Sequence, residues 1–258
     1  MSDYHWTTAI TAVQPNEVRL RGYRIDELMG RVTFGQAVYL ALKGELPSPE
    51  VGRLMDAMLV SSIDHGATPP SALAARTVAS TGASLSAGIA AGVLSINRYH
   101  GGAIQGCMQL LLESIGRLDG DRDPAEVASE IVAEMRAQKK RAPGFGHRIH
   151  TDDPRTKRLL ALAGELGTSG DGVRMARAFE NALEESLGRR LPLNVDGALA
   201  ALLVDLGFPP ELGNAFFIVA RVTGLAAHVN EEMTGQRPMR RIHPTDHAYD
   251  GPAPQEFK

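Results

Sequence analysis

The chain has 258 residues, 43% of them hydrophobic, enough to bury a substantial core in one large domain or in a large and a small one. A formal charge of −3 argues against a general nucleic-acid binder, because phosphate backbones select net-basic surfaces. The one cysteine, Cys107, excludes an internal disulfide framework and fits a reducing cytoplasm. Aromatics are only 5%, and the abundance of Ala, Leu, Gly and Val favours closely packed helices over aromatic-rich sheets. Tyr4, His5 and Trp6 stand where a signal sequence would be charged and then apolar, and no uncharged apolar run is long enough to span a bilayer. The expectation is a soluble, cytoplasmic protein with no membrane or nucleic-acid partner.

In chain order, residues 7–21 form a short hairpin around Gln14-Pro15-Asn16-Glu17. The helical part begins at Tyr23–Gly30. Thr33 caps a helix over 34–43 that ends at Gly44, and Ser48-Pro49 starts another, with Val51, Leu54, Met55, Met58 and Leu59 at helical spacing. It runs out at Asp64-His65-Gly66. Residues 71–97 are almost entirely small or apolar, and Gly82 breaks them into two helices. Small residues let another backbone come near, so this pair is expected to be buried, at a subunit interface. Tyr99-His100-Gly101-Gly102 is a glycine turn before a helix to about Gly116. Asp123-Pro124 and Asp153-Pro154 start further helices, the latter to about Gly167, and another covers about 172–187. Asp196 falls in the first turn of a helix ending near Gly207. A long helix over about 212–234 carries Arg221 and His228, and a polar, arginine-bearing tail follows. The fold class is all-α.

The centre of this chain is residues 141–155. Gly144 and Gly146 open backbone angles closed to other residues and allow a ligand to approach the main chain. His147 sits on the turn they make. Lys139, Lys140, Arg141, Arg148, Arg155, Lys157 and Arg158 crowd both flanks. Guanidiniums around such a turn suit a small polycarboxylate or phosphate ligand.

Five stretches occur in order: His65-Gly66 before a helix, Tyr99-His100-Gly101-Gly102-Ala103, Pro143-Gly144-Phe145-Gly146-His147 with Asp153-Pro154-Arg155, Asn194-Val195-Asp196, and Ala220-Arg221 with Ala227-His228. Together they resemble the citrate synthase superfamily over nearly the whole chain. The chain departs from the synthases in two ways, and its Asn194-Val195-Asp196-Gly197 form and His65-Gly66-Ala67-Thr68-Pro69-Pro70 turn resemble the short citryl-CoA lyases and the lyase module of ATP-citrate lyase instead. The long helical segment of full-length synthases between the counterparts of Pro47 and His65 is almost absent. Asp196 is followed by Gly197-Ala198-Leu199 rather than an aromatic residue and a Ser-Gly pair.

The resemblance implies carbon–carbon chemistry between the acetyl group of acetyl-CoA and a keto acid, usually oxaloacetate. The thioester methyl is a very weak acid, so the site needs a base and a stabiliser of the enolate. By resemblance Asp196 is the base; read alone, it is a helix-start carboxylate favoured by the macrodipole. His100 would polarise the thioester carbonyl as a neutral ring, or else cap its own helix. His147 would contact the keto oxygen, or take the proton of the citryl-CoA tertiary hydroxyl in cleavage; alone it also suits a metal ligand beside His150, Asp152 and Asp153. Arg155, Arg221 and Arg237 would hold carboxylates, the last from a partner subunit, with Arg240 or Arg241 able to replace it, and His65 would lie at the carboxylate end. CoA would run along Arg141, Ala142, Pro143, Gly144, Phe145 and Gly146. No metal is required for this chemistry. His228 and Cys107 are assigned to packing. The resemblance implies a homodimer with a large domain (1–103 and 211–258) and a small one (104–210) that closes over the site. The reactions it implies are citryl-CoA cleavage to acetyl-CoA and oxaloacetate, or condensation as a compact citrate or methylcitrate synthase. The reading from another class is a non-catalytic CoA- or citrate-binding subunit.

Overall fold

The structure is a computed structural model and describes residues 6–119, 122–146, 153–240, 250–251 and 256. It is all-α apart from one small sheet at the start of the chain. Strands β1 (Thr11–Gln14) and β2 (Glu17–Leu20) pair antiparallel with Val13 opposite Val18. Strand β3 (Tyr23–Arg24) adds to β2, with Leu20 opposite Tyr23. The hairpin agrees with the sequence, but the helical part starts later than Tyr23. Arg21 and Gly22, at φ 51° and 90°, reverse the chain so tightly that Tyr23 falls back beside β2. The Arg21 guanidinium also donates to the carbonyl of Ala41, which ties the sheet to the first long helix. Helix α1 then covers only Ile25–Leu28.

The remaining helices are α2 (Phe34–Lys43), α3 (Pro49–Ser61), α4 (Pro70–Ala79), α5 (Leu85–Leu94), α6 (Ala103–Ile115), α7 (Pro124–Ala137), α8 (Pro154–Glu165), α9 (Asp171–Leu187), α10 (Val195–Asp205) and α11 (Glu211–Gly235). Local chemistry sets their ends. Thr33 and Gln36 form a reciprocal capping box on α2, and Gly44 closes it in the left-handed region at φ 91°. Ser48, Asp123 and Asp153 each cap a helix with proline next in sequence, each cap contributing about 1 kcal/mol.

The chain divides into two compact units, Met1–His65 with Ile96–Gly224, and Gly66–Ser95 with Leu225–Lys258. The first is built around α10. That helix is apolar on every face, and Ala198, Leu199, Ala200, Ala201 and Leu202 are fully buried, as a central helix requires. Helices α6, α8 and α9 pack on it, and α7 packs on α9. The two Asp205 carboxylate oxygens, at the end of α10, accept the N–H groups of Gly170, Gly172 and Val173 and so hold the start of α9.

The second unit is α4 and α5 against the C-terminal part of α11. A Cβ at Gly88 or Gly92 of α5 would stand 2.8 Å from Val229 or Leu225, so only glycine permits this approach. Arg76 donates to Glu232 at 2.8 Å and to Glu231 at 2.6 Å, and Arg240 also pairs with Glu232, whose side chain is buried between the two guanidiniums. His228 Nδ1 accepts from Arg76, in keeping with its expected packing role. Within the chain the expected burial of 71–97 is met on α4, where Ala72, Ala75 and Ala79 are buried. Gly82 does separate the two helices, but α5 leaves Leu85, Ala87, Ala90 and Leu94 exposed. By length and composition α11 could cross a membrane, yet it carries Arg221 at its middle and buries Phe216, Phe217 and Leu225, as a core helix does.

Candidate active site

The first unit gathers His65, His100, Arg155, Asp196 and Arg221 into one electrostatic neighbourhood. Asp196 lies in the first turn of α10, capped by Asn194, whose Oδ1 accepts the Gly197 N–H at 3.1 Å. Burial raises the Asp196 pKa above the usual carboxylate range; the positive charges of Arg155 and Arg221 oppose this, and Asp153 adds to it. Burial thus eases protonation of this carboxyl relative to a solvated aspartate, the direction wanted of a group that must exchange a proton.

His100 lies just before α6, in a turn where its N–H and C=O bond reciprocally with Asn97. Its ring stands edge-on to Phe217, centroids 6.1 Å apart. Gly101 makes this turn at φ 88°, and a Cβ there would stand 2.6 Å from Ile96. Burial lowers the His100 pKa first, and the charges of Arg221 and His65 push it further down. The ring is therefore neutral at neutral pH, the form that donates a hydrogen bond to a developing oxyanion.

Arg221 is buried at the middle of α11, its Nε donating to the Ser62 carbonyl at 3.1 Å and its guanidinium 4.8 Å from the Phe217 ring centre. Burial lowers its pKa, while Asp64 and Asp196 pull it up and Arg155 pushes it down. Arg155 forks onto Asp153, Nε to Oδ1 at 3.0 Å and Nη2 to Oδ2 at 2.8 Å. The same carboxylate caps α8, so Asp153 fixes both the helix and the arginine. His65 is exposed on the turn after α3.

Arg141 is exposed, Ala142, Pro143 and Gly146 are half-buried, and Gly144 and Phe145 are buried. Phe145, expected against CoA, turns its ring into the core, 6.1 Å from that of Phe179. Arg237 belongs to the second unit, where it lines a cavity of about 250 Å³ with Ser80, Glu232 and Gln236. Arg240, its sequence alternative, is engaged by Glu232. His147 and Arg241 lie outside the described residues. Cys107 is fully buried, as expected, its thiol pushed up to about 12 by burial and the nearby Asp196. Sequence reading passed over Phe217, although its spacing of four from Arg221 on α11 places the two on one helical face. Asn194, two residues before the base, belongs to a motif named from the sequence, but no role is assigned to it there.

The citrate synthase C-terminal domain family matches residues 47–244. The chain belongs to this family. Citrate synthase-like folds recur among solved structures. A citryl-CoA lyase from Hydrogenobacter thermophilus is 44% identical, with a TM-score of 0.91 over 98% of this chain and 97% of that one. A citrate synthase from the archaeon Thermoplasma acidophilum, in ternary complex with carboxymethyl coenzyme A and oxaloacetate, is 27% identical, with a TM-score of 0.70 over 87% of this chain and 58% of its own. By sequence, a citrate synthase from Haloferax volcanii is 31% identical over 77% of this chain and 51% of its own. The chain spans about half the length of the curated citrate synthase relatives it matches.

Proposed function

We propose that the chain is a citryl-CoA lyase-type enzyme that cleaves citryl-CoA to acetyl-CoA and oxaloacetate. The observation that carries this reading is the 44% identity to the Hydrogenobacter thermophilus citryl-CoA lyase over nearly the full length of both chains. In cleavage, His147 takes the proton of the tertiary hydroxyl, and the carbon–carbon bond breaks as that oxygen becomes the keto group of oxaloacetate. The electron pair passes to the acetyl-CoA enolate, whose oxygen receives a hydrogen bond from neutral His100. Asp196 delivers a proton to the enolate carbon, and solvent returns one proton from His147 to Asp196. A raised pKa suits this step, because it favours the protonated form that gives the proton. Arg155 and Arg221 hold carboxylates, His65 lies at their end, and CoA runs along Arg141–Gly146, chiefly against Arg141, Ala142 and Pro143. The chemistry needs no metal.

The exposed apolar residues of α5 support a homodimer whose interface includes α4 and α5, with Arg237 or Arg241 reaching the carboxylate site of the second copy. The part that closes over substrate is 104–210, against 1–103 and 211–258. A compact citrate or methylcitrate synthase is the second reading, favoured by the names of the curated relatives at 28–32% identity. Synthetic citryl-CoA separates the readings. Acetyl-CoA and oxaloacetate as main products support the lyase, and free citrate with CoA makes the chain a synthase. Binding of CoA and citrate in thermal shift with no product makes it a non-catalytic subunit.

A further inference from the structure

Three hydrogen bonds stitch the loop Gly144–Gly146 to the approach of α10, and a fourth caps the helix. Gly146 N–H donates to Pro192 O at 2.7 Å and Asn194 N–H to Gly144 O at 3.0 Å. The Asn194 side chain supplies the other two, Nδ2 donating to Gly146 O at 2.8 Å while Oδ1 accepts from Gly197 N–H at 3.1 Å. The two ends of one carboxamide thus face a carbonyl 48 residues earlier in the chain and an amide three residues later. Reversing the amide would set oxygen against oxygen and N–H against N–H, so chemistry fixes its orientation. Asparagine alone meets both demands. Aspartate offers only acceptors, serine is too short to reach Gly146, and glutamine is a methylene too long to cap the helix at this position.

We propose that Asn194 is a positioning residue that sets the distance between the loop meant for CoA and the carboxylate of Asp196. The inference rests on the reading of Asp196 as the proton-transfer group and of 141–146 as the CoA track. Asn194 touches no reacting atom; it acts by holding the loop at one end of its carboxamide and the first turn of α10 at the other. Only Val195 separates it from Asp196, so a loosened loop changes the placement of thioester and carboxyl relative to each other.

Asn194→Asp and Asn194→Ser both keep a cap acceptor for Gly197 and lose the donor to Gly146. Hydrogen exchange by mass spectrometry on the full-length protein reads the clamp without any need for activity. In both variants, amides of 142–146 are expected to exchange about tenfold faster while those of 198–205 stay at the wild-type rate, and melting stays close to wild type. With citryl-CoA, kcat/KM is expected to fall roughly 10–100-fold, with the acid limb of the pH profile displaced. Unchanged loop exchange overturns the clamp. Equal acceleration across α10 makes Asn194 a helix cap and nothing more. A loosened loop with wild-type kcat/KM and pH profile severs the clamp from catalysis. A wild type that neither cleaves citryl-CoA nor forms it sinks the functional reading and the catalytic half of this one, while the exchange data still judge the clamp.

Discussion

Gly197→Ala tests the close seam between loop and helix with a single methyl group. A Cβ at this position would stand 2.3 Å from the Gly144 carbonyl oxygen and 2.5 Å from a Leu193 methyl, whereas ordinary contact begins at 3.4 Å. The Leu193 side chain can rotate away, but the Gly144 oxygen is backbone, so loop and helix must part by about 1 Å. Overpacking of this kind costs about 1–3 kcal/mol, and alanine returns up to about 1 kcal/mol as a better helix former than glycine. The net loss is about 1–2 kcal/mol, or a melting temperature lowered by roughly 2–8 °C in a chain of this size. The catalytic loss is expected to be larger, because a 1 Å misplacement of reacting groups is worth about 10²-fold. The assay pairs a melting curve with kcat/KM for citryl-CoA. A variant that melts and turns over like wild type would refute the claim that the two backbones meet at a fixed distance. One that melts several degrees lower with normal turnover would show that the seam serves stability alone.

Three further outcomes are expected. Asp196→Asn should lower turnover roughly 10²–10⁴-fold and abolish exchange of the acetyl-CoA methyl protons into deuterated water. Because burial raises its pKa, the charged carboxylate weighs against the fold once pH exceeds the ordinary Asp range, so the variant should melt no lower than wild type at neutral pH. Exchange at the wild-type rate would remove Asp196 from the mechanism. His100, its pKa lowered by burial, should titrate in ring-proton spectra below the ordinary 6.5. Its contribution to stability is full above that value and is lost as pH falls toward the folded pKa; a midpoint above 6.5 would contradict the neutral-donor role. Sedimentation at micromolar protein should show a dimer, and Leu94→Glu on α5 should dissociate it; a stable folded monomer would count against the interface.

Much of the fold is written locally. Thr33 with Gln36, Gly44, Ser48-Pro49, Asp123-Pro124 and Asp153-Pro154 each bond within a turn of themselves, so sequence alone places those helix ends. β3 escaped because its partner strand is reached through Arg21 and Gly22 at positive φ, a conformation that nothing in the residue type of Arg21 announces. The apolar composition of 71–97 predicts burial, but α5 fully buries only Gly88 and Gly92 within the chain, with Ile89 and Val93 partly covered. At the site, Asp196 and Arg221 were named through resemblance, since nothing local distinguishes a base from a helix-start carboxylate. The Asn194–Gly146 and Arg76–Glu232 bonds join residues 48 and 156 apart, beyond the reach of any local pattern.

Cys107 gives this protein an internal reporter. It is the one thiol in the chain, fully buried, and it lies where a Cβ on Gly144 would meet its sulfur at 2.8 Å. With the thiol pushed up to about 12, thiolate is scarce at neutral pH, and a thiol reagent gains access only when the packing over the sulfur opens, the Gly144 loop included. The labelling rate of the unmodified chain therefore reports how readily the packing around Cys107, with this loop as one wall, opens. A ligand seated along 141–146 should slow that labelling in proportion to its occupancy, which turns a buried packing residue into a binding assay for CoA and its thioesters.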